Sequence, residues 1–356
     1  MATIIKSVAD LQAIEIDMDG DYELGADIDL SGVAWTPLGE TEYQNTSPTT
    51  FSGTLDGKGH KIKNLTINDN TRGEYNMIGL FAELGDCTIS NLVIENAHIT
   101  ADGYNPHVGI LAGRAFYTKP TISNVSVQGE LWVTHISSSS MGNPSVGGLM
   151  GCLYGSKEVS ITDCISTVEM HLYGCDKTLY VGGFIGYGRE LLLTRCFAFG
   201  YITVENTADS GINVSSMQSV CYYTEHVDCG SAVTVHGAIA NTVQTCGKYL
   251  TSSQEFTGSR NYWESSTVSY ETYTDNKIVS LSQADFIALT SSNSEVYNLE
   301  NVDFSNGKYI KLAIDKDTVI AYDLTIAGQT FNGVKKVVYN GSVLKKLSLN
   351  GTDYTF

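Results

Sequence analysis

The sequence predicts an all-β chain built as a parallel β-helix, a solenoid, with a short N-terminal helical cap and a small C-terminal antiparallel β-domain. Three observations carry this expectation. A glycine phrase recurs four times: Ile78-Gly79-Leu80-Phe81, Val108-Gly109-Ile110-Leu111-Ala112-Gly113, Val146-Gly147-Gly148-Leu149-Met150-Gly151 and Val181-Gly182-Gly183-Phe184-Ile185-Gly186. Its leading glycines stand at 79, 109, 147 and 182, giving steps of 30, 38 and 35 residues. A second phrase, an apolar alternation after a polar residue, begins at Asn64, Asn91, Asn124, Asp163 and Arg195. Finally, 35 glycines against five prolines suit many tight corners between short strands. A repeat of this length with inserts of varying size marks a solenoid, whose coils touch only their neighbours.

From the N-terminus, Ser7-Val8-Ala9-Asp10-Leu11-Gln12-Ala13-Ile14 reads as a capped amphipathic helix, with an acid at the third helical position. An open solenoid end exposes strand edges and apolar core, so residues 1–20 are assigned as the lid. Residues 22–30 alternate like a strand, Trp35-Thr36-Pro37-Leu38-Gly39 turns the chain, and residues 40–50 form a polar loop. Residues 51–62 supply two short strands around Asp56-Gly57-Lys58-Gly59. Inward Leu, Val, Ile and Cys at equivalent sites should stack into a continuous core. Cys164 and Cys196 share one repeat position and read as buried free thiols, with a disulfide involving Cys221, Cys229 or Cys246 the alternative. The repeat glycines Gly79, Gly109, Gly147, Gly148, Gly182 and Gly183 are expected at corners, in backbone conformations closed to other residues. Polar inserts at 134–144 and 205–216 leave the stack as recognition loops, and 217–260 holds degenerate coils.

The phrases Asp27-Ile28-Asp29-Leu30, Trp35-Thr36-Pro37-Leu38-Gly39, Phe51-Ser52-Gly53-Thr54-Leu55-Asp56-Gly57-Lys58-Gly59-His60-Lys61-Ile62 and the later Val-Gly-Gly-Leu-x-Gly runs resemble the GLUG-repeat proteins. That resemblance implies a right-handed parallel β-helix of the kind found in adhesin-like and phage proteins, over residues 21–290. Asn261-Tyr262-Trp263-Glu264 and Leu281-Ser282-Gln283-Ala284-Asp285-Phe286 resemble the closing strand and short helix of such domains. Residues 291–307 are a linker. In 308–356, Asn340-Gly341 and Asn350-Gly351 between alternating runs signal hairpins. This tail resembles C-terminal segments of virion proteins from phages of Gram-positive gut bacteria.

A formal charge of −18 and a pI near 4.6 argue against a nucleic-acid partner and an anionic membrane surface. No apolar run is long enough to cross a bilayer. Met1–Ser7 carries no apolar h-region, so the expectation is use without Sec export, or a signal already removed. Candidate chemistry is sparse. Asp56 with His60, and Asp27 with Asp29, read as turn and backbone-satisfying groups. Asp17-Met18-Asp19-Gly20-Asp21 has its glycine too early for a calcium loop. The seven histidines form no spaced metal pair, so no catalytic residue, metal or cofactor is expected. Among 21 tyrosines, Tyr173, Tyr187, Tyr222 and Tyr223 are the candidate ligand contacts, because such rings bury area at low entropic cost. Trp132 and Trp263 read as packing residues.

The resulting expectation is a non-enzymatic phage virion protein, a tail or head fibre on the particle surface. Its partners would be other virion proteins and a host-surface glycan or protein receptor, and it would assemble as a homo-oligomer, a trimer by analogy with fibres. The alternatives are a bacterial cell-surface adhesin, placed extracellularly, and a polysaccharide depolymerase.

Overall fold

The structure, a computed structural model, describes residues 1–39, 49–69, 76–137, 144–174, 178–205 and 212–219, and shorter strand segments between 221 and 355. Strands pair parallel from Thr3–Ile5 through to Ile278–Leu281 in one continuous ladder. The expected β-solenoid is therefore the fold. Its coils follow four walls. Met77–Ile78, His107–Val108, Ser145–Gly147 and Leu179–Gly182 stack as the first wall. Phe81–Leu84, Ala112–Phe116 and the starts of Met150–Thr162 and Ile185–Thr194 stack as the second. Thr54–Asp56, the starts of Thr88–Tyr104 and Thr121–Ser137, and the ends of Met150–Thr162 and Ile185–Thr194 make the third. The rest of Thr88–Tyr104 and Thr121–Ser137, followed by Ile165–Tyr173, Phe197–Glu205 and Gly230–Gly237, make the fourth and longest.

The core is a set of rows along the axis. Ile78, Val108, Val146 and Val181 succeed one another on the first wall, and Ile89, Ile122, Ile161 and Leu193 on the third, all buried. Each such side chain contributes roughly 1.5–3 kcal/mol by leaving water. Cys164, Cys196 and Cys229 form one more row: Cys196 N donates to Cys229 Sγ at 3.4 Å, and Cys196 Sγ lies 3.4 Å from Ile161 O. Cys87, Cys152, Cys164, Cys196 and Cys229 are free and buried.

At the N-terminus the helix Val8–Gln12 is capped by Ser7, whose hydroxyl accepts from Asp10 N, while Asp10 accepts from Lys6 N. This reciprocal pair is a capping box. A 3₁₀ turn, Ala13–Ile16, follows, and Leu11 and Ile14 lie fully buried in the core. Trp35 is buried and its Nε1 donates to Leu80 O at 3.1 Å.

Two expectations change. None of the six repeat glycines has a positive φ; that conformation falls instead on Asn91, Asn124, Asp163 and Arg195, at the corner between the third and fourth walls. The glycines answer a different demand, close approach of backbone to backbone. Asn64, expected in the same row as Asn91, stands one corner further on, where Asn96 Nδ2 donates to Asn64 Oδ1 at 2.6 Å. Segments within 217–260 pair in register with the preceding coil, among them Thr224–Val227 and Gly230–Gly237. In the tail the described pairs are antiparallel, Tyr322–Ile326 with Gln329–Val334 and Lys346–Leu349 with Thr352–Thr355, and Val302–Asp303 pairs with Ile310–Lys311. The helix expected at 281–286 lies outside the described residues beyond Leu281.

Candidate functional site

Side chains on a strand alternate between faces, and in Ala112–Phe116 the alternation sends Arg114 and Phe116 outward. Parallel register repeats this on the next coils, giving two outward rows: Glu83, Arg114, Cys152, Tyr187, and beside them Phe116, Tyr154, Arg189. The rings make one cluster. Phe116 lies 4.5 Å from Tyr117 and 5.2 Å from Tyr154 between centroids, Tyr117 is 4.8 Å from Tyr154, and Tyr154 stacks on Tyr187 at 6.2 Å and 5°. Tyr180, from the first wall, meets Tyr187 edge-on at 5.4 Å. Phe116 is 40% and Tyr117 60% exposed, large apolar surface on the outside of the stack.

Cations attend these rings. The Arg189 guanidinium sits 4.5 Å over Tyr154 and pairs with Glu190 at 3.1 Å; Arg114 lies 5.2 Å from the Phe116 centroid. Arg114 also donates to the buried Glu83 at 2.6 Å. Among the described residues Arg114 Nε finds no acceptor. Behind the row, His107 Nδ1 lies 2.6 Å from Ser145 Oγ, both buried. Burial, and secondarily the Arg114 charge, depress the His107 pKa to about 3, so the imidazole is neutral. Burial pushes the Cys152 thiol up to about 12.

Of the expected contacts, Tyr187 belongs to this cluster. Tyr173 stands apart on the fourth wall, 46% exposed. Tyr222 lies on the strand paired with Gly188–Arg189, and Tyr223 lies outside the described residues. Phe116, Tyr154 and Arg189 were missed in the sequence although each follows its leading glycine by seven residues, the offset that would have found them. The acidic candidates are dispersed. Asp56 accepts from Lys58 N and Asn91 Nδ2; Asp27 is within 3.3 Å of His60 and 2.7 Å of Lys63 Nζ. Asp29 accepts from Ser31 and Asn64, which hold its carboxyl down at about 2. Gly20 N donates to Asp17 O, closing a turn. Among the described residues no three His, Cys, Asp or Glu converge as a metal site, and none of their helices is long and apolar enough to cross a membrane.

Residues 6–129, the cap and first coils, match the family described as the M26 IgA1-specific metallo-endopeptidase N-terminal region. The chain is 37% identical over 155 residues, 41% of its length, to halomucin of Haloquadratum walsbyi, and spans about 2% of that protein. A crystal structure from Bacteroides ovatus, described as a candidate immunoglobulin A1 protease, superposes with a TM-score of 0.61 at 20% identity, covering 87% of this chain and 92% of that one. A structure described as IgA1 protease superposes at 0.56 and 19% identity, covering 78% of this chain and 21% of that one. At such identities these two structures establish the fold alone. The family match overturns two sequence expectations, the virion fibre and the non-enzyme, because it links the cap and first coils to an endopeptidase family. The phage-like resemblance rested on the short tail, and the M26 N-terminal match lies at the other end of the chain.

Proposed function

We propose that this chain is the β-solenoid portion of an extracellular endopeptidase of the IgA1-protease kind, and that its second wall engages the immunoglobulin substrate. The observation that carries the reading is the family match over residues 6–129. An enzyme whose substrate is a secreted antibody works outside the cell, in keeping with the extracellular alternative above. The exposed cluster supports the assignment of the wall. Tyrosine and arginine are the residues that anchor protein interfaces, rings because they bury area cheaply and guanidinium because it both stacks and donates. Here they stand together on an otherwise acidic molecule.

The described residues do not fit the metal of such an endopeptidase. Five histidines are engaged singly: His60 with Asp27, His98 with Glu130, His107 with Ser145, His171 stacked on Trp132, His226 with Gln218. The whole sequence contains no His-Glu-x-x-His helix motif. No hydrolytic step is derived from them.

The purified chain, with and without added divalent zinc, is to be titrated with human IgA1 and IgA2, recording association by interferometry and heavy-chain fragments by gel. Association with IgA1 in preference to IgA2, weakened about tenfold or more by Tyr154→Ala or Arg189→Glu, is the expected result. Absence of both association and fragmentation with IgA1 would overturn the reading.

A further inference from the structure

The fourth wall carries a second aromatic feature, on the same coils as the first but on a different wall, and different in chemistry. Its outward rows run Asn68, Thr100, Trp132, His171, Thr203 and, beside them, Thr66, His98, Glu130, Glu169, Tyr201. Trp132 is 39% exposed, an unusual residue for the middle of a solvent-facing strand. His171, from the following coil, covers one face of its indole, with centroids 3.9 Å apart and planes within 13°. His171 is itself held edge-on by Tyr201 at 6.0 Å, and Tyr201 donates to Glu169 at 2.5 Å. The indole edge is fixed as well, since Nε1 donates to Glu130 at 3.2 Å.

The other indole face looks toward the preceding coils, and there the in-register residues are Thr100 and then Asn68, both too short to cover it. Coils repeat at about 4.8 Å, so two short residues in succession leave a shelf roughly two coils wide, walled at one end by a rigid, half-covered ring. Glu130 and His98, 3.5 Å apart, border it on one side.

We infer that this shelf, built by Trp132 over Thr100 and Asn68 with Glu130 and His98 at its edge, binds a neutral pyranose unit of a glycan. A pyranose has an apolar C–H face that packs on an indole and a rim of hydroxyls. The shelf offers a matching set: a flat ring held in place before binding, a carboxylate and an imidazole to accept, a threonine hydroxyl and an asparagine amide to donate or accept. The hydroxyls of a pyranose both donate and accept, so they can meet the carboxylate as well as the asparagine amide. A point cation would want an enclosing cage of rings, whereas only one indole face is open here. This inference stands apart from the protease reading, which concerns the second wall.

The test uses the full chain with ¹⁵N-labelled tryptophan and a panel of glucose, galactose, mannose and their N-acetylamino derivatives. At least one sugar should move the Trp132 indole N–H resonance, the signal absent from Trp132→Phe, at millimolar concentration. The shelf-filling Thr100→Phe should weaken that sugar at least about tenfold with an unchanged melting temperature, and Tyr154→Ala should leave it unchanged. Three results would overturn the inference: no sugar moves the signal; the sugar still binds Thr100→Phe at full strength; or lysine methyl ester moves the signal where no sugar does, and added salt reverses the shift.

Discussion

A methyl group at Gly147 would collide with Met150 O and Gly186 N, and one at Gly182 with Ile185 O, all backbone atoms with no room to yield. Such overpacking against main chain exceeds the usual core cost of about 1–3 kcal/mol. Gly147→Ala and Gly182→Ala should therefore each cost about 3 kcal/mol or more in urea unfolding. Gly32→Ala is the control: its φ is +75 but nothing lies within 4 Å, so only the left-handed strain of about 1 kcal/mol remains. Equal effects at Gly32 and Gly147 would mean that the main chain around Gly147 yields to the methyl group, and that close approach is not what the glycine is there for. Thiols give a second residue-scale test. Burial raises Cys87 and Cys152 to about 12 and pushes Cys196 well up from the ordinary thiol value, so the nucleophilic thiolate is absent near neutrality. Mass-mapped alkylation of the native chain at pH 8 should leave Cys87, Cys152 and Cys196 unmodified and label them only after denaturation.

At the scale of elements, the recurring polar residue proves to be a corner device. Asn91 Nδ2 donates to Asp56 Oδ1 at 3.0 Å, Asn124 Nδ2 to Asn91 Oδ1 at 2.9 Å, and Arg195 closes on Asp163. Each holds a positive φ, which asparagine tolerates better than most residues. Two effects can then be separated. Asn124→Gly keeps the conformation and loses the ladder bond, a cost of about 1 kcal/mol; Asn124→Ala loses both, adding about 1 kcal/mol more. If the alanine variant unfolds at the same urea concentration as the glycine variant, the corner imposes no strain. The recurrence of this element was legible because polar-then-apolar runs repeat in the chain. Asn64 was misplaced because its own corner is followed by the same Leu-x-Ile alternation, and alternation alone does not say which corner a run leaves. The helical cap was legible for a local reason, since a capping box is written in adjacent residues.

For the whole molecule, the solenoid was readable because a one-dimensional stack writes each contact as a repeat, whereas surface function is written once. The cluster of Phe116, Tyr154 and Tyr187 is assembled by register between coils of unequal length, which insert sizes obscure. Stacking has a further consequence for acid stability. His107 and His226 are both buried within it and held near a pKa of about 3 by desolvation, in His107 with Arg114 alongside and in His226 against Gln218. In the unfolded chain each titrates near the ordinary 6.5. Between these values the unfolded state binds a proton that the folded state refuses, so stability rises with pH and falls as the solution is acidified. One such histidine changes stability by about 1.4 kcal/mol per pH unit below 6.5, and the two together by about 2.7. Asp27, Asp29 and Asp56, whose carboxyls the fold holds down, add their own losses only below about pH 4. Urea midpoints should thus fall steeply between pH 6.5 and 5, above the range in which Asp27, Asp29 and Asp56 contribute. His107→Asn, whose amide can still bond Ser145, should remove about half of that slope. A midpoint unchanged across this interval would mean that both imidazoles reach water in the folded chain, and that these two rows of the stack are open.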